Sequence, residues 1–247
     1  MKTIYLISLI LVLGTCTKPV ETPEPCIDGD GNLYPTIQIG RQLWMQENLR
    51  TTKFNNGDAI KNETDLSFWW EPLKTKLPYY CWPHNDSAQY ARPYGAIYNG
   101  FAVVPQLNGS RNICPAGWHV PSEAEWKELL NYLGGLYDAG GKLKEVGTAH
   151  WLAPNLGATN SSGFTAISAA DIRTTMDNTF HNTKGEYATF LSSTLSEPVP
   201  EVKPNVYLPA LYCIGLKYDK IEADNGYTPS EHGNSVRCIC DVKFPAK

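Results

Sequence analysis

Apolar residues first gather at the start of the chain, where an almost unbroken run extends from Ile4 to Leu13 behind a single lysine, Lys2. This run is too short to span a bilayer comfortably and fits the apolar core of a secretory signal peptide. Small residues follow it and lead to Cys16. We therefore predict that residues 1–15 are a leader that directs export.

An alternating segment from Tyr34 to Ile39 predicts a strand, and the turn-forming residues from Asp28 to Asn32 precede it. The same acidic residues suggest a calcium-binding loop as an alternative. That loop needs glycine where Leu33 stands and a bidentate glutamate where Ile39 stands. We therefore interpret the segment as a hairpin turn that leads into the first strand.

The clearest helix of the sequence begins after Ser122, a good N-cap. Glu125 stands three residues later, which completes the pattern of a capping box. Gly134 and Gly135 end the helix. An apolar stripe at helical spacing, which we assign to the core, consists of Trp126, Leu129, Leu130 and Leu133.

The C-terminal part of the chain has the composition of strands, over 207–216 and again from Ser235. Cys238 and Cys240 are two residues apart on the last strand, so both side chains point to the same face. We therefore expect them to reach different partners rather than each other.

A proline-rich stretch separates the leader from the rest of the chain, since residues 17–25 contain three prolines. Such a segment forms neither a helix nor a central strand, and we interpret residues 16–25 as an extended tether. No linker-like stretch follows, so we expect residues 26–247 to form one domain. The four residues that end in Cys16 resemble the lipobox of bacterial lipoproteins, which implies that Cys16 carries the lipid, including palmitate.

Composition narrows the class of protein further. An apolar content of 42% and a charged content of 19% are typical of a chain that folds. The formal net charge is −4 and no basic patch is present, which argues against a nucleic-acid partner. No second apolar run of spanning length follows the leader, so we expect anchorage to a membrane through the lipid alone.

Seven cysteines are present, and lipidation of Cys16 would leave an even set. An even number of cysteines in an exported protein predicts disulfides. Six cysteines can pair in many ways, and the sequence alone does not choose among them. The six are Cys26, Cys81, Cys114, Cys213, Cys238 and Cys240.

Three stretches of the chain together resemble the Fibrobacter succinogenes major paralogous domain family of exported bacterial proteins. The first runs from Tyr34 through Gln-Ile-Gly-Arg-Gln-Leu-Trp-Met-Gln-Glu-Asn-Leu to residue 57. The second runs from Tyr80 through Ile-Cys-Pro-Ala-Gly-Trp-His-Val-Pro-Ser to Trp126, and the third pairs Ser-Gly-Phe-Thr-Ala at 162–166 with Asn-Ser-Val-Arg-Cys at 234–238. The resemblance covers about residues 26–241.

That family is similar to C-type-lectin-like domains and to the sulfatase-modifying, formylglycine-generating fold. The resemblance implies an α+β, C-type-lectin-like domain with a small twisted antiparallel sheet, few helices and long irregular loops, in which the first and last strands lie side by side. It also implies a Cys114–Cys238 disulfide. Cys26 would pair with Cys240 if those strands are neighbours, which leaves Cys81 for Cys213.

The sequence also departs from these relatives. It lacks the Trp-Asn-Asp triplet and the Glu-Pro-Asn or Gln-Pro-Asp motif of calcium-dependent lectins, so calcium-mediated sugar binding does not carry over. Cys238 and Cys240 lie outside the context of the reactive cysteine pair of the formylglycine-generating enzyme. We therefore predict no catalytic residues and no cofactor. Loop oxygens that could hold a structural calcium belong to Asp28, Asp30, Asn85 and Asp86.

The ligand site is predicted at Trp69 and Trp70, adjacent indoles in a loop-like, proline-rich segment outside the strongest motifs. Exposed indoles stack on the apolar faces of sugars, and core packing is the alternative. The four tryptophans inside family motifs are assigned to the core, namely Trp44, Trp82, Trp118 and Trp126.

These features favour a non-catalytic binding module of the bacterial cell envelope, on the outer membrane facing outside or in the periplasm. We expect its loops to hold a glycan, a peptide or a partner protein. Two alternatives remain at this stage: a structural or assembly subunit of a surface complex, and, less favoured, an enzyme of the sulfatase-modifying type.

Overall fold

A computed structural model describes residues 26–65, 69, 76–173, 185–196, 199–200 and 207–245. The leader, the tether, Cys16 and Trp70 lie outside the described residues. The described residues contain the α-helices Ser87–Tyr94 (α1), Gly100–Val103 (α2), Pro105–Asn108 (α3), Glu123–Tyr132 (α4) and Leu136–Leu143 (α5). Their strands are Thr36–Ile39 (β1), Gln42–Met45 (β2), Lys61–Asn62 (β3), Tyr79–Cys81 (β4), Ile97–Tyr98 (β5), Trp118–His119 (β6), Tyr187–Leu195 (β7), Val199–Pro200 (β8), Tyr207–Leu208 (β9), Ala210–Lys217 (β10), Ala223–Pro229 (β11) and Ile239–Cys240 (β12).

Short helices and several small, mainly antiparallel sheets make this an α+β domain. The described strands pair as β1-β2-β12-β6, β11-β10-β7, β3-β4-β5 and β8-β9, and only the β3–β4 pair is parallel. Within the described ranges, no helix is both long and apolar enough to cross a membrane.

Helix α4 confirms the predicted capping box. The Ser122 hydroxyl oxygen accepts from the backbone N–H of Glu125, and the Glu125 carboxylate accepts from the backbone N–H of Ser122. These two bonds satisfy backbone donors that the first turn of a helix leaves unpaired. The helix closes at Gly134, whose φ of 101° favours glycine.

The last strand, β12, joins the sheet of the first strands but lies beside β2 and β6 rather than beside β1, so the neighbouring first and last strands that the family resemblance implied are separated by β2. Ile239 pairs with Trp44 on one side and with His119 on the other. Beside this sheet the Cys114–Cys238 disulfide is formed, which confirms that pairing. The predicted hairpin turn before β1 is present as well, with Ile27 bridged to Leu33.

The two faces of the sheet β11-β10-β7 differ. Side chains alternate between the faces of a strand, and paired residues share a face. Phe190 of β7 and Ile214 of β10 are paired and fully buried. They belong to an aromatic core with Trp126 of α4 and Phe164. We call this the closed face. The opposite side of the same sheet, the open face, forms a cleft.

Two long cations lie inside the molecule on the closed side. Lys144 is fully buried, and its ammonium group donates to the carbonyl oxygens of Leu156, Lys217 and Lys220 at 2.8, 2.9 and 2.7 Å. Burial lowers the pKa of Lys144 to about 8, against the opposing influence of nearby acidic groups. These three bonds saturate the ammonium and fasten the β10–β11 turn to the end of α5.

Arg237 is the second buried cation. Its guanidinium donates to Asn48 at 3.0 Å and to the carbonyl oxygens of Phe164 and Thr165, and it lies 4.3 Å from the ring centroid of Phe164. Burial lowers the pKa of Arg237 to about 9. With its donors engaged in this way, Arg237 holds the closing segment against the core.

Candidate functional site

A cleft with a volume of about 380 Å³ lies on the open face of the β11-β10-β7 sheet. This volume falls at the lower end of the range of roughly 300–1,000 Å³ found for small-molecule sites. Strand pairing explains its lining, since Lys217 pairs with Tyr187, and Gly215 pairs with both Thr189 and Asp224. All five of these residues face the cleft.

Glycines keep the floor of the cleft open. Gly215 of β10 and Gly226 of β11 lie on the cleft face, where a longer side chain would fill the space. A β-carbon added to Gly226 would meet no atom within 4 Å, and its backbone is extended rather than left-handed. The floor is therefore bare backbone over which a flat ligand could lie.

Two cations of the cleft lie close to the same aromatic ring. The guanidinium of Arg173 lies 5.3 Å and the ammonium of Lys217 lies 5.4 Å from the centroid of the Tyr187 ring. Carboxylates orient both cations, since Arg173 Nε contacts Asp171 at 2.6 Å and Lys217 contacts Asp224 at 3.2 Å. Cation–π contacts and ion pairs together preorganise the two charged groups.

A buried amide group completes the cleft. Asn234 is 3% exposed and lines the cleft, and its Nδ2 atom is buried with no hydrogen-bond partner in the described structure. An unsatisfied buried donor costs about 1–3 kcal/mol, which a ligand acceptor could recover. His232 lies nearby, 3.2 Å from the Thr228 hydroxyl. Burial first, and then Arg173, lower the pKa of His232 to about 4, so it is neutral at pH 7.

A second, shallower cleft of about 360 Å³ lies across strand β11 from the first. Asp224 and Asn225 line both clefts. Its rim carries Tyr137, which is 80% exposed, and Tyr227 stands 51% exposed at the rim of the first cleft. Each of the two clefts thus combines polar residues of β11 with an exposed aromatic ring.

The sequence predicted the ligand contact at Trp69 and Trp70. The structure shows that the prediction is wrong for Trp69, and Trp70 lies outside the described residues. Trp69 is 1% exposed, its ring centroid lies 6.3 Å from that of Tyr79, and its indole Nε1 donates to the Glu63 carbonyl at 3.0 Å. It packs in a small cluster with Ile97. Trp69 is therefore a core residue rather than an exposed contact, because neighbouring strands supply both apolar packing and a hydrogen-bond acceptor.

Of the four tryptophans assigned to the core, three are buried. Trp44, Trp118 and Trp126 are at most 1% exposed, which confirms their assignment. Trp82 is only partly buried, because it follows β4 at the edge of the core and packs edge-on against Tyr80.

The other two predicted disulfides are not formed, and Cys26, Cys81, Cys213 and Cys240 are thiols. Cys26 and Cys240 belong to one core cluster and influence each other electrostatically, whereas Cys81 belongs to a different cluster. Cys213 is partly buried in the cleft, and burial raises its pKa to about 11 against the opposing effect of Arg173. The cleft thus holds a thiol that is uncharged at pH 7.

The candidate calcium ligands are used by the protein itself. Asp28 accepts from the Asn32 amide and the Tyr34 hydroxyl, and Asp30 accepts from the backbone N–H of Thr52. Asp86 caps α1 through the backbone N–H of Gln89, and the Asn85 side chain donates to the Thr64 carbonyl. No group of three or more metal-ligating side chains gathers within the described ranges.

His119 forms the densest ionisable network outside the cleft. Its Nδ1 lies 2.5 Å from Asp241 and its Nε2 lies 2.9 Å from Glu125. Burial opposes its charge, but these two carboxylates outweigh it and raise the pKa of His119. Burial also opposes ionisation of Glu125, but hydrogen bonds from His119 and Ser122 lower its pKa to about 2. The Ser122 hydroxyl donates to Glu125 rather than to His119, so this histidine links elements instead of activating a nucleophile.

The cleft residues were missed at the level of the sequence because no local pattern marks them. They come from residues 173–234, which were interpreted as strand only at 207–216. The available signal was the run Asn225-Gly226-Tyr227, in which a glycine stands between a polar and an aromatic residue in an extended segment. A glycine inside a strand often marks close approach of a ligand.

Comparison with known proteins adds one match. A family model described as Fibrobacter succinogenes major domain matches residues 37–240. No curated protein and no solved structure matches the chain. The matched range includes the whole cleft, from Arg173 to Asn234.

Proposed function

Because the chain belongs to the Fibrobacter succinogenes major domain family over residues 37–240, we propose that it is a non-catalytic binding module that holds a glycan in the open-face cleft. The observation that carries this proposal is the cleft itself: a bare glycine floor, polar walls and flanking tyrosines on a rigid sheet. Sugars need flat apolar contacts together with many hydrogen bonds, and this lining offers both.

We further propose that the domain is C-type-lectin-like and sits on the bacterial envelope through a lipid on Cys16. The adjacency of β2 and β12 and the disulfide beside them support the first part. The leader and the proline-rich tether support the second. Cys16→Ser should abolish labelling by a palmitate analogue and release the protein from membranes; continued membrane association with unchanged labelling would refute the anchor.

A binding role fits the described chemistry better than catalysis. Cys238, one of the late cysteines, is bonded to Cys114 and holds no reactive thiol. His119 is engaged by a carboxylate at each ring nitrogen. The polar groups of the site instead line a cleft on one face of a sheet, an arrangement that suits recognition.

The test is to fill the cleft. Gly226→Leu adds a side chain into open space, so the fold should survive while ligand access is lost. Asn62→Leu is the matched control, since it adds the same side chain at an exposed strand position elsewhere. On an array of envelope and plant glycans, the natural protein and the control should bind the same sugars and Gly226→Leu should not.

Stacking on a ring contributes roughly 1 kcal/mol beyond area burial, so single-site affinity should be weak and arrays should present many copies. Equal binding by Gly226→Leu and the natural protein would place the site elsewhere. If no sugar is bound at all, the glycan proposal fails.

An assembly role is the second candidate, and one surface favours it. Tyr132, Leu136 and Tyr137 lie close together in sequence around the α4–α5 junction and are all exposed. Exposed apolar side chains that cluster in this way can mark protein contacts. Pull-down from envelope extracts with Tyr137→Ser, compared with Gly226→Leu, would separate the roles: loss of a protein partner only in Tyr137→Ser would favour assembly.

A further inference from the structure

We infer that the open-face cleft selects acidic sugars, with the carboxylate of a uronic acid placed between Arg173 and Asn234. This inference rests on the proposed glycan-binding function and specifies the ligand class at the same site. It follows from which hydrogen-bonding groups of the cleft are still available to a ligand.

Arg173 is the main cation of the cleft. It lines the cleft together with His232 and Cys213, and its guanidinium lies 5.3 Å from the centroid of the Tyr187 ring. Its hydrogen bond to Asp171 uses Nε, so among the described residues its two terminal amino groups keep donors for a ligand. A guanidinium with free terminal donors binds a planar carboxylate in a two-pronged geometry.

Asn234 adds a donor that requires an acceptor. Its Nδ2 is buried and unpartnered, while its backbone is held by two hydrogen bonds of 3.0 Å to Tyr98. The residue is only 3% exposed, so the side chain is enclosed rather than turned to solvent. A ligand oxygen at this point would satisfy a donor that the fold leaves unpaired.

Charge favours an acid over a neutral ligand. Among the residues that line the cleft, Arg173 and Lys217 are cationic and Asp224 is the single carboxylate, while the burial of His232 keeps it neutral at pH 7. The overall chain is negative, with a formal charge of −4, whereas the lining holds two cations and one carboxylate; Asp171, which pairs with Arg173, is not among the lining residues.

The remaining lining favours a sugar over a peptide. The Asp224 carboxylate can accept from hydroxyl groups, and the Thr189 hydroxyl lies on the same face, since both residues pair with Gly215. The bare backbone at Gly226 leaves room for a ring to lie flat, and Tyr187 supplies an aromatic ring. An acidic peptide would use the cations but would not supply the several hydroxyl groups that Asp224 and Thr189 can bind.

The experiment compares one panel of ligands in two chemical forms. Uronic acid oligosaccharides are assayed by calorimetry before and after reduction of their carboxyl groups, which leaves neutral sugars of nearly the same shape. The natural protein should bind the acidic form at least about tenfold more tightly, because a charge-assisted pair is lost on reduction. The preference should shrink as salt is raised.

Variants locate the effect. Arg173→Gln should reduce the preference for the acidic form to near unity. Because this change leaves buried Asp171 without its cation, Lys217→Gln serves as a second variant that removes a more exposed charge. Lys127→Gln is the matched control, since Lys127 also pairs with a carboxylate and approaches a tyrosine ring but lies outside the cleft.

Each outcome decides between the two levels of the proposal. Equal binding of acidic and reduced sugars, abolished by Gly226→Leu, would overturn the acidic preference and keep the glycan site. Binding of acidic peptides in place of uronic acids would overturn the inference and the glycan proposal together. A preference that persists in both Arg173→Gln and Lys217→Gln would show that another group selects the acid.

Discussion

The two faces of the β11-β10-β7 sheet follow opposite rules. On the closed face, Phe190 and Ile214 are fully buried against Trp126, and the nearby Lys144 has all its donors paired. On the open face, a glycine stands in the strand and the Asn234 amide lacks a partner. One side of these three strands is therefore packed into the core, while the other side keeps space and an unpaired hydrogen-bond donor that a ligand could use.

The largest expected effect tests the closed face directly. Trp126→Ala should reduce the free energy of unfolding by about 3–5 kcal/mol, because it leaves a cavity among Trp44, Phe164 and Phe190. Thr189→Ala, on the open face, should reduce the free energy of unfolding by less than about 1 kcal/mol. Urea denaturation of both variants measures the difference, and comparable losses would mean that the faces do not differ as described.

The next effect concerns the buried lysine. Lys144→Met should cost about 3 kcal/mol, because the methionine leaves three carbonyl oxygens without a donor. Lys142→Met is the control on the same helix: its ammonium is partly exposed and donates to a single carbonyl, that of Leu133. A thermal melt that shows equal stability for the two variants would contradict the role assigned to Lys144.

A smaller, pH-dependent effect should come from the His119–Glu125 network behind the closed face. The contribution of Glu125 is present above its ordinary pKa of 4.5 and is lost as pH falls towards 2. The contribution of His119 is present below 6.5 and is lost as pH rises through its raised pKa. Glu125→Gln should therefore reduce the free energy of unfolding most, by about 1 kcal/mol, between pH 4.5 and pH 6.5.

Stability curves of Glu125→Gln and the natural protein at pH 3, 5.5 and 9 would test this window. A difference that stays constant across the range would show that the network does not titrate as described. Gly226→Leu is the control, since the difference in its free energy of unfolding from that of the natural protein should not change with pH.

The smallest effect on stability is expected on the open face. Gly226→Leu should change the free energy of unfolding by less than about 0.5 kcal/mol, since the new side chain meets no atom and a glycine in a strand interior is itself unfavourable. Chemical denaturation measures it. A loss of several kcal/mol would mean that the cleft is closed by packing, and the comparison of faces would fail.

The closed face was more accessible from the sequence than the open one, for a physical reason. Core positions can be predicted from the periodicity of apolar residues. The stripe from Trp126 to Leu133 and the capping box at Ser122 were both predicted from spacing alone, and both are present. The family resemblance indicated that the closing strand joins the first strands, and β12 does so, although its neighbour is β2 rather than β1. These features depend on local sequence patterns or on motifs that the whole family shares.

The cleft has no such local pattern, because its lining residues come from separate segments of the chain. Among them are Arg173, Tyr187, Lys217 and Asn234. None of these residues is unusual for its local element, and tertiary contacts alone bring them together. Trp69 shows the converse error. An aromatic residue in an irregular segment suggested exposure, but burial depended on strands that lie elsewhere in the sequence.

The Cys114–Cys238 bond has a mechanical consequence. It closes a covalent ring with a sequence separation of 124, and the whole cleft lies inside that ring. If the protein is tethered at its N-terminus and its ligand is pulled by flow, tension enters near residue 26 and loads β1, β2 and β12 before it reaches the ring. Strands outside the ring could peel away one by one, but extension of the chain would stop at Cys114. Under such tension, the cleft would keep its structure while the segment before Cys114 is extended.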